Sequence, residues 1–193
     1  MITITRRTAR LVRAVLRRAL GLSGGSGPSI LFQARDNLLR VCAASDNVIA
    51  EYHSAGTSEV EQIWVPYECL SACEARNDDP VQIELNGAHV TVQWRDNSGP
   101  QMVQHEASEP EDPEPFPECP NELAENPPAL KQAIHHAMLT SEKEAIRYAV
   151  DHIQLRGKTG EIVATDGRQL LVQSGFEFPW QQNLLVPRNL VFG

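Results

Sequence analysis

The first 22 residues carry six arginines and no acidic side chain. Four of them recur at helical spacing and predict a basic stripe on one helix face: Arg6, Arg10, Arg13 and Arg17. Apolar residues of the same segment predict the face that packs on a core: Leu11, Val12, Val15, Leu16 and Ala19. A row of guanidinium groups can hold phosphate oxygens by charge and hydrogen bonding. Such contacts would bind nucleic acid without reading its base sequence.

This arginine-rich start has competing interpretations. Organellar targeting peptides and helices that lie on a membrane surface are also amphipathic, basic and poor in acids. A similar helix is predicted again at 127–139, so we interpret the first one as an integral part of the folded protein. Contact with phosphate then competes with a simply solvated helix face.

The remaining reactive side chains do not form a catalytic set. Cys69 and Cys73 share one face of a predicted helix, but no further ligands at metal-site spacing accompany them, so buried thiols in a reducing compartment are expected. Asp46 and Asp166 fall at predicted turns, where Asp bonds to nearby backbone. A hydrolase that uses Asp166 and a histidine is the weakest hypothesis. We expect a cytoplasmic protein that is not an enzyme and holds neither metal nor cofactor.

The charge of the chain is strongly partitioned. The net charge is −8 over 193 residues, but residues 1–22 alone carry +6, which leaves −14 for the rest. Residues 106–125 contain many acids and prolines and no lysine or arginine, which predicts an extended, solvated connector. The sequence therefore predicts a first domain at 1–108, an acidic proline-rich linker at 109–126 and a partial second domain at 127–193.

The predicted elements indicate an α+β protein with an internal repeat. A strand and a helix are followed by several strands, a second helix and several more strands, the order of antiparallel sheets with packed helices. Short matches recur about 120 residues apart, in order: 14–15 with 133–134, 44–46 with 164–166, and 64–66 with 185–187. The second copy would be incomplete at Gly193, so we expect either a fragment of a longer protein or completion by another component.

Three segments of the second copy carry a resemblance to a known family. They are Arg-Tyr at 147–148 before a strand, Ala-Thr-Asp-Gly at 164–167 before a leucine, and Val-Pro-Arg at 186–188. Together they resemble the bacterial DNA polymerase III beta subunit, the sliding clamp, and the first copy resembles its first domain more loosely. The resemblance implies DNA-clamp-like repeat domains, each with two helices packed on curved antiparallel sheets. It also implies a homo-oligomeric ring around duplex DNA, acting as a non-catalytic processivity factor for the replicative polymerase.

The resemblance also implies two sets of binding residues. The set toward duplex DNA is Arg6, Arg10, Arg13, Arg17, Lys131, Arg147 and Tyr148. The set toward short peptides of polymerases and clamp-loader subunits is Val150, Thr165, Gly167, Arg168, Gln169 and Leu170. Val150, Arg168 and Gln169 depart from the residues usual in the family. The alternative hypothesis is a divergent clamp-derived protein-interaction module that does not encircle DNA.

Overall fold

The chain folds into two compact units. The structure is a computed structural model that describes residues 1–45, 48–56, 60–107, 115–118, 125–143 and 149–189. Unit 1 comprises Met1–Glu118 and unit 2 comprises Cys119–Gly193. The division falls within the predicted linker at 109–126.

The elements alternate along the chain as the apolar patterns predict. In unit 1 they are β1 (Ile2–Thr5), α1 (Arg6–Ala19), β2 (Ile30–Arg35), β3 (Leu38–Ser45), β4 (Val48–Ala55), β5 (Glu61–Val65), α2 (Glu68–Cys73), β6 (Pro80–Asn86), β7 (His89–Asp96) and β8 (Gly99–Glu106). In unit 2 they are α3 (Pro128–Thr140), β9 (His152–Arg156), β10 (Glu161–Thr165), β11 (Leu170–Gln173) and β12 (Asn183–Pro187).

Unit 1 contains two antiparallel sheets, with strand orders β1-β6-β7-β8 and β4-β3-β2-β5. The first sheet joins the opening strand to the last three strands of the unit, because β1 pairs with β6. The second sheet is built from four consecutive strands, with β5 paired to β2. Both helices and both sheets contribute to one apolar core, which includes Val12 and Leu16 of α1, Leu70 of α2, and Phe32 and Ile83 of the two sheets. This arrangement confirms the predicted α+β class.

Helix α1 is well capped at both ends. The side chain of Thr5 accepts a hydrogen bond from the backbone N–H of Thr8 at 3.0 Å, which satisfies one free donor of the first turn. At the other end the N–H of Leu20 donates to the carbonyl of Leu16, and Gly21 follows with a φ of 64°. Glycine is favoured in that left-handed conformation, so the helix stops where the sequence predicts.

Two hairpin turns show what the sequence signals capture. A hairpin joins β6 to β7, as Asn86-Gly87 predicts; Asn86 ends β6 and pairs with His89, and the turn is Gly87-Ala88, with Gly87 at a φ of 62°. The turn between β2 and β3 was not predicted, and it is formed by Asp36 and Asn37 at φ values of 53° and 64°. Asp and Asn tolerate the left-handed region better than other side chains, so this pair supplies a two-residue turn without glycine.

Unit 2 repeats one half of unit 1. Its sheet has the order β11-β10-β9-β12, which corresponds to β4-β3-β2-β5, and α3 corresponds to α1. The predicted match of 14–15 with 133–134 is wrong, because Ala14 is exposed and Ala133 is buried. Burial instead matches Val12 with Ala133 and Leu16 with Ala137, each pair 121 residues apart. The same spacing relates core-facing residues of the strands: Ala43 and Ala164, and Val65 and Val186.

Candidate nucleic-acid interface and peptide surface

Four arginines of α1 are exposed: Arg7, Arg10, Arg17 and Arg18. Arg10, Arg17 and Arg18 differ from Arg7 because, within the described part of the chain, no ion pair or hydrogen bond engages their side chains. Arg17 and Arg18 also lie in the last turn of the helix, where the partial negative charge of the helix end favours cations. Their charges are therefore available to a ligand.

Arg6, by contrast, holds the fold together. Its Nε donates to the carbonyl of Cys73 at 2.9 Å, and its Nη1 donates to the carbonyl of Arg95 at 3.4 Å. Its backbone N–H donates to the carbonyl of Asp79 at 2.9 Å. These contacts join the first turn of α1 to the end of α2, to the segment after it and to β7, so the Arg6 guanidinium is already engaged.

Arg7 is engaged with the same segment. Its backbone N–H donates to the carbonyl of Asn77, and its guanidinium donates to the carbonyl of Arg76 at 3.3 Å. Arg7 Nη2 also lies 3.1 Å from a carboxylate oxygen of Asp78. Both side chains are more than half exposed, and such surface pairs contribute little to stability.

Arg13 is paired as well. Its Nη1 lies 2.8 Å from Glu74 Oε1, and both side chains are mostly buried, at 22% and 27% exposed. The hydroxyl of Tyr67 donates to the Arg13 carbonyl at 3.4 Å. The pair neutralises Arg13 and joins α1 to the end of α2.

The structure therefore divides the predicted stripe. Among the described residues nothing engages the side chains of Arg10 and Arg17, whereas Arg6 and Arg13 are committed within unit 1. The predicted apolar face is wrong at Leu11 and Val15, which are 48% and 40% exposed. The buried side of the helix is Ala9, Val12, Leu16 and Ala19.

Sequence reasoning missed Arg18 as a candidate. The side of α1 opposite the buried residues carries Arg7, Leu11, Ala14 and Arg18, whose spacing is as helical as that of the predicted stripe. A helical wheel whose buried side is centred on Val12 and Leu16 alone places Arg18 on the solvent side. Including Leu11 and Val15, which are apolar but face water, shifts the predicted buried side away from its true position.

Helix α3 has a much weaker cationic surface. Lys131 is exposed and is the only lysine or arginine in the helix. The helix buries Ala133, Ala137 and Met138 against the sheet of unit 2. The other two predicted DNA contacts of this unit, Arg147 and Tyr148, lie outside the described residues.

The predicted peptide residues of unit 2 centre on the tight turn between β10 and β11. Asp166 organises the turn, because its Oδ1 accepts from the backbone N–H groups of Arg168 at 2.9 Å and Gln169 at 2.8 Å. These backbone hydrogen bonds, that of Gln169 first, hold the pKa of Asp166 below its ordinary value. Thr165 Oγ1 donates to the Gln169 carbonyl at 2.6 Å and accepts from the Gly167 N–H at 2.9 Å. The aspartate is thus structural, as the turn prediction requires.

The turn presents an apolar end to solvent. Leu170 pairs with Thr165 across the hairpin and begins β11, an edge strand of the sheet. Leu170 is 68% exposed and Val172 is 48% exposed. Val150 is half-buried in a separate turn, where its carbonyl accepts from the N–H of Glu142 at 3.0 Å. The structure thus brings 165–170 together, and no described hydrogen bond joins Val150 to them.

The described residues contain free thiols, but neither a metal-binding cluster nor a membrane-spanning helix. Cys42, Cys69 and Cys73 are buried free thiols, as predicted for this class of cysteine, and burial raises the pKa of each. No cluster of His, Cys, Asp or Glu within the described ranges is arranged to hold a metal ion. No helix in that part of the chain is long and apolar enough to span a membrane.

The fold is that of the DNA polymerase III beta sliding clamps. The Pseudomonas aeruginosa DNA polymerase III subunit beta superposes with a TM-score of 0.72 at 19% identity, over 100% of this chain and 55% of that one. The Helicobacter pylori beta clamp bound to a DNA ligase peptide gives 0.67 at 14% identity, over 99% and 57%. The chain therefore spans little more than half the length of these clamps. No protein-family model matches the sequence. No curated protein matches it either.

Proposed function

We propose that this chain is a clamp-type, non-catalytic accessory protein of DNA replication that contacts duplex DNA without reading its sequence. The observation that carries the proposal is the set of exposed α1 arginines whose side chains no described residue engages, Arg10, Arg17 and Arg18, on a sliding-clamp fold. Lys131 is a weaker contact on α3, and Arg147 and Tyr148 remain predicted contacts.

Contact with phosphates fits both the number and the setting of these arginines. A sliding protein needs attraction to the DNA backbone and no base-specific hydrogen bonds, because specific contacts would stop its motion. Three cations on an otherwise acidic chain give a weak interaction that depends strongly on salt. The acidic remainder, at −14, disfavours nonspecific binding of nucleic acid elsewhere on the chain.

We extend the proposal to peptide partners. One of the similar clamps is solved with a DNA ligase peptide, and the corresponding predicted surface here includes Thr165, Gly167, Arg168, Gln169 and Leu170. A rigid turn beside an exposed leucine suits a short apolar peptide, because the protein side needs little ordering on binding. Polymerase and clamp-loader subunits in the cytoplasm are the proposed sources of such peptides, and Val150 is a further predicted contact.

A topological test separates tethering from simple binding. The full chain is mixed with a closed circular plasmid or with the same plasmid cut once, and co-elution in gel filtration is measured as salt rises. A ring that surrounds DNA resists salt on the circle and slides off the cut form. We expect higher retention on the circle.

Equal retention on both forms would contradict ring formation and favour the second candidate, a clamp-derived interaction module. That candidate is favoured by one observation. Two of the four arginines of the predicted stripe, Arg6 and Arg13, are engaged within unit 1 and are not available to DNA.

A further inference from the structure

A short piece of the predicted linker is packed on unit 1. Residues 115–118, here called the strap, lie against the sheet face formed by β2, β3 and β5. The ring of Phe116 lies 6.1 Å from that of Trp64 at an interplanar angle of 34°. Phe116 also packs on a small apolar cluster of Leu31, Cys42 and Trp64, which is separate from the main core. The expectation of a fully solvated connector is therefore wrong for the strap.

Arg40 fastens the strap from the polar side. Its Nη2 donates to the Pro117 carbonyl at 3.0 Å and to Glu51 Oε2 at 2.6 Å. The hydrogen bond to Glu51 is the main cause that raises the pKa of Arg40, and attraction to Glu118 adds to it. The site thus favours an aromatic residue followed by a carbonyl and an acid.

The strap fills only part of a longer groove. A cavity of about 270 Å³ lies beside Pro115 and Phe116 and is lined by Leu31, Gln33, Arg40, Gln62 and Trp64. A second cavity of about 540 Å³ shares Gln33, Arg40 and Gln62 with it and extends to Arg35, Leu38 and Val60. The two cavities, together here called the strap groove, share these three lining residues, and only the smaller one is lined by residues of the strap.

Trp64, which lines the smaller cavity, carries a buried donor without an acceptor. Trp64 is only 8% exposed, and its indole N–H has no hydrogen-bond partner within the described part of the chain, as is also true of Trp94 and Trp180. Buried donors are almost always paired, so an acceptor that reached this indole would be favoured. Gln33 and Gln62, bonded to each other at 3.1 Å, add amide groups to the floor.

We propose that the strap groove is a binding site for an extended segment of a partner protein, with an aromatic residue between prolines and an acid after it. The strap, Pro-Phe-Pro-Glu, has this sequence pattern and occupies the groove, so it competes with a partner segment for the same site. Flanking prolines keep such a segment extended before it binds, which lowers the ordering cost. The site is independent of α1 and of the turn at 165–170, so it adds to the proposed function without resting on it.

The test uses a released strap and a synthetic peptide. The peptide is Pro-Glu-Pro-Phe-Pro-Glu, the sequence of 113–118, and the reporter is the indole N–H signal of Trp64 in ¹⁵N-labelled full chain, assigned with Trp64→Phe. Phe116→Ser releases the strap, and Phe116→Leu is a milder second variant. Met102→Ser, on the exposed side of β8, is the matched control.

We expect a saturable shift of the Trp64 signal in both Phe116 variants. Wild type and Met102→Ser should need about tenfold more peptide, because a tethered strap competes at an effective concentration on the order of 1 mM. Arg40→Gln in the Phe116→Leu background should weaken binding, and a peptide with Ala in place of Phe should not bind. Absence of a saturable shift in both variants up to about 10 mM, well above that effective concentration, would overturn the proposal. An equal response to the Ala peptide would also overturn it.

Discussion

Helices α1 and α3 occupy equivalent places in the two units, but the residues on their buried faces and on their solvent-exposed faces differ. Toward the sheet, α1 buries Val12 and Leu16 where α3 buries Ala133 and Ala137. Toward solvent, α1 presents three arginines that no described residue engages, whereas α3 presents Lys131 alone among lysines and arginines. The repeat therefore preserves which positions are buried and leaves side-chain volume and surface charge free to differ. A shared fold is thus a poor guide to whether both helices bind DNA.

The largest expected effect concerns the buried faces. Leu16→Ala removes a fully buried side chain from the main core of unit 1 and should cost about 2–5 kcal/mol of unfolding free energy. Leu139→Ala on α3 is the matched control, because Leu139 is 62% exposed and its removal should change little. Amide hydrogen exchange in β2 and β10 reports each unit separately. Equal effects of the two substitutions would contradict the burial assigned to Leu16 and the exposure assigned to Leu139.

A second comparison uses two hairpin glycines with similar backbone angles. Gly160 has a φ of 65°, and a Cβ there would lie 1.9 Å from the carbonyl oxygen of Phe176, so Gly160→Ala must displace the backbone of 176. Gly87 has a φ of 62° with nothing near its Cβ position. We expect Gly160→Ala to cost about 3 kcal/mol and Gly87→Ala about 1 kcal/mol, from backbone strain with and without a clash. Urea unfolding of both variants measures the difference, and similar costs would rule out the clash.

A smaller effect separates two Arg–Glu pairs by pH. Hydrogen bonding from Arg40 is the main cause that holds the pKa of Glu51 to about 2, below its ordinary value of 4.5. Glu161 of unit 2 also has a lowered pKa, caused first by Thr159 and then by Arg156. The side chains of Glu161 and Arg156 are 25% and 40% exposed, against 18% and 23% for Glu51 and Arg40. The Glu51 pair is the more buried of the two and should contribute more to stability.

The sign follows from which state binds the proton first. Between pH 4.5 and 2 the unfolded chain protonates Glu51 while the folded chain does not, so stability present above pH 4.5 is lost as pH falls toward 2. The decrease should be on the order of 2 kcal/mol, read from urea unfolding through the Trp64 indole signal. Glu51→Gln should reduce this dependence of stability on pH, whereas Glu161→Gln should leave the dependence unchanged. An unchanged slope in Glu51→Gln would contradict the assignment.

Much of the fold could be predicted from the sequence, because its signals are local. The helix at 6–20, the Asn86-Gly87 hairpin and most strands follow from periodicity and turn residues. The sequence does not predict the Asp36–Asn37 turn because neither residue is a glycine. The offset of the repeat was mistaken by one or two residues, because matched letters such as Ala14 and Ala133 do not report burial.

The candidate site was harder to predict because partners distant in sequence decide which charges are free. Arg13 and Arg17 look alike on a helical wheel, but Glu74 lies beside Arg13 only after α2 packs on α1. Arg6 is bound by carbonyls of Cys73 and Arg95, far along the chain. Likewise, Phe116 lies in a segment of acids and prolines, and only the groove beside Trp64 explains its burial.

The central claim is that α1 contacts DNA phosphates through Arg10, Arg17 and Arg18. Affinity of the full chain for a duplex is measured by fluorescence anisotropy over a range of salt. The triple variant Arg10→Gln, Arg17→Gln, Arg18→Gln is compared with Arg35→Gln, Lys158→Gln, Arg168→Gln, which removes the same charge from other exposed positions. We predict that the first variant lowers the slope of log affinity against log salt by about 0.9 for each phosphate no longer bound, while the second keeps the wild-type slope. Equal slopes in the two variants would contradict the claim.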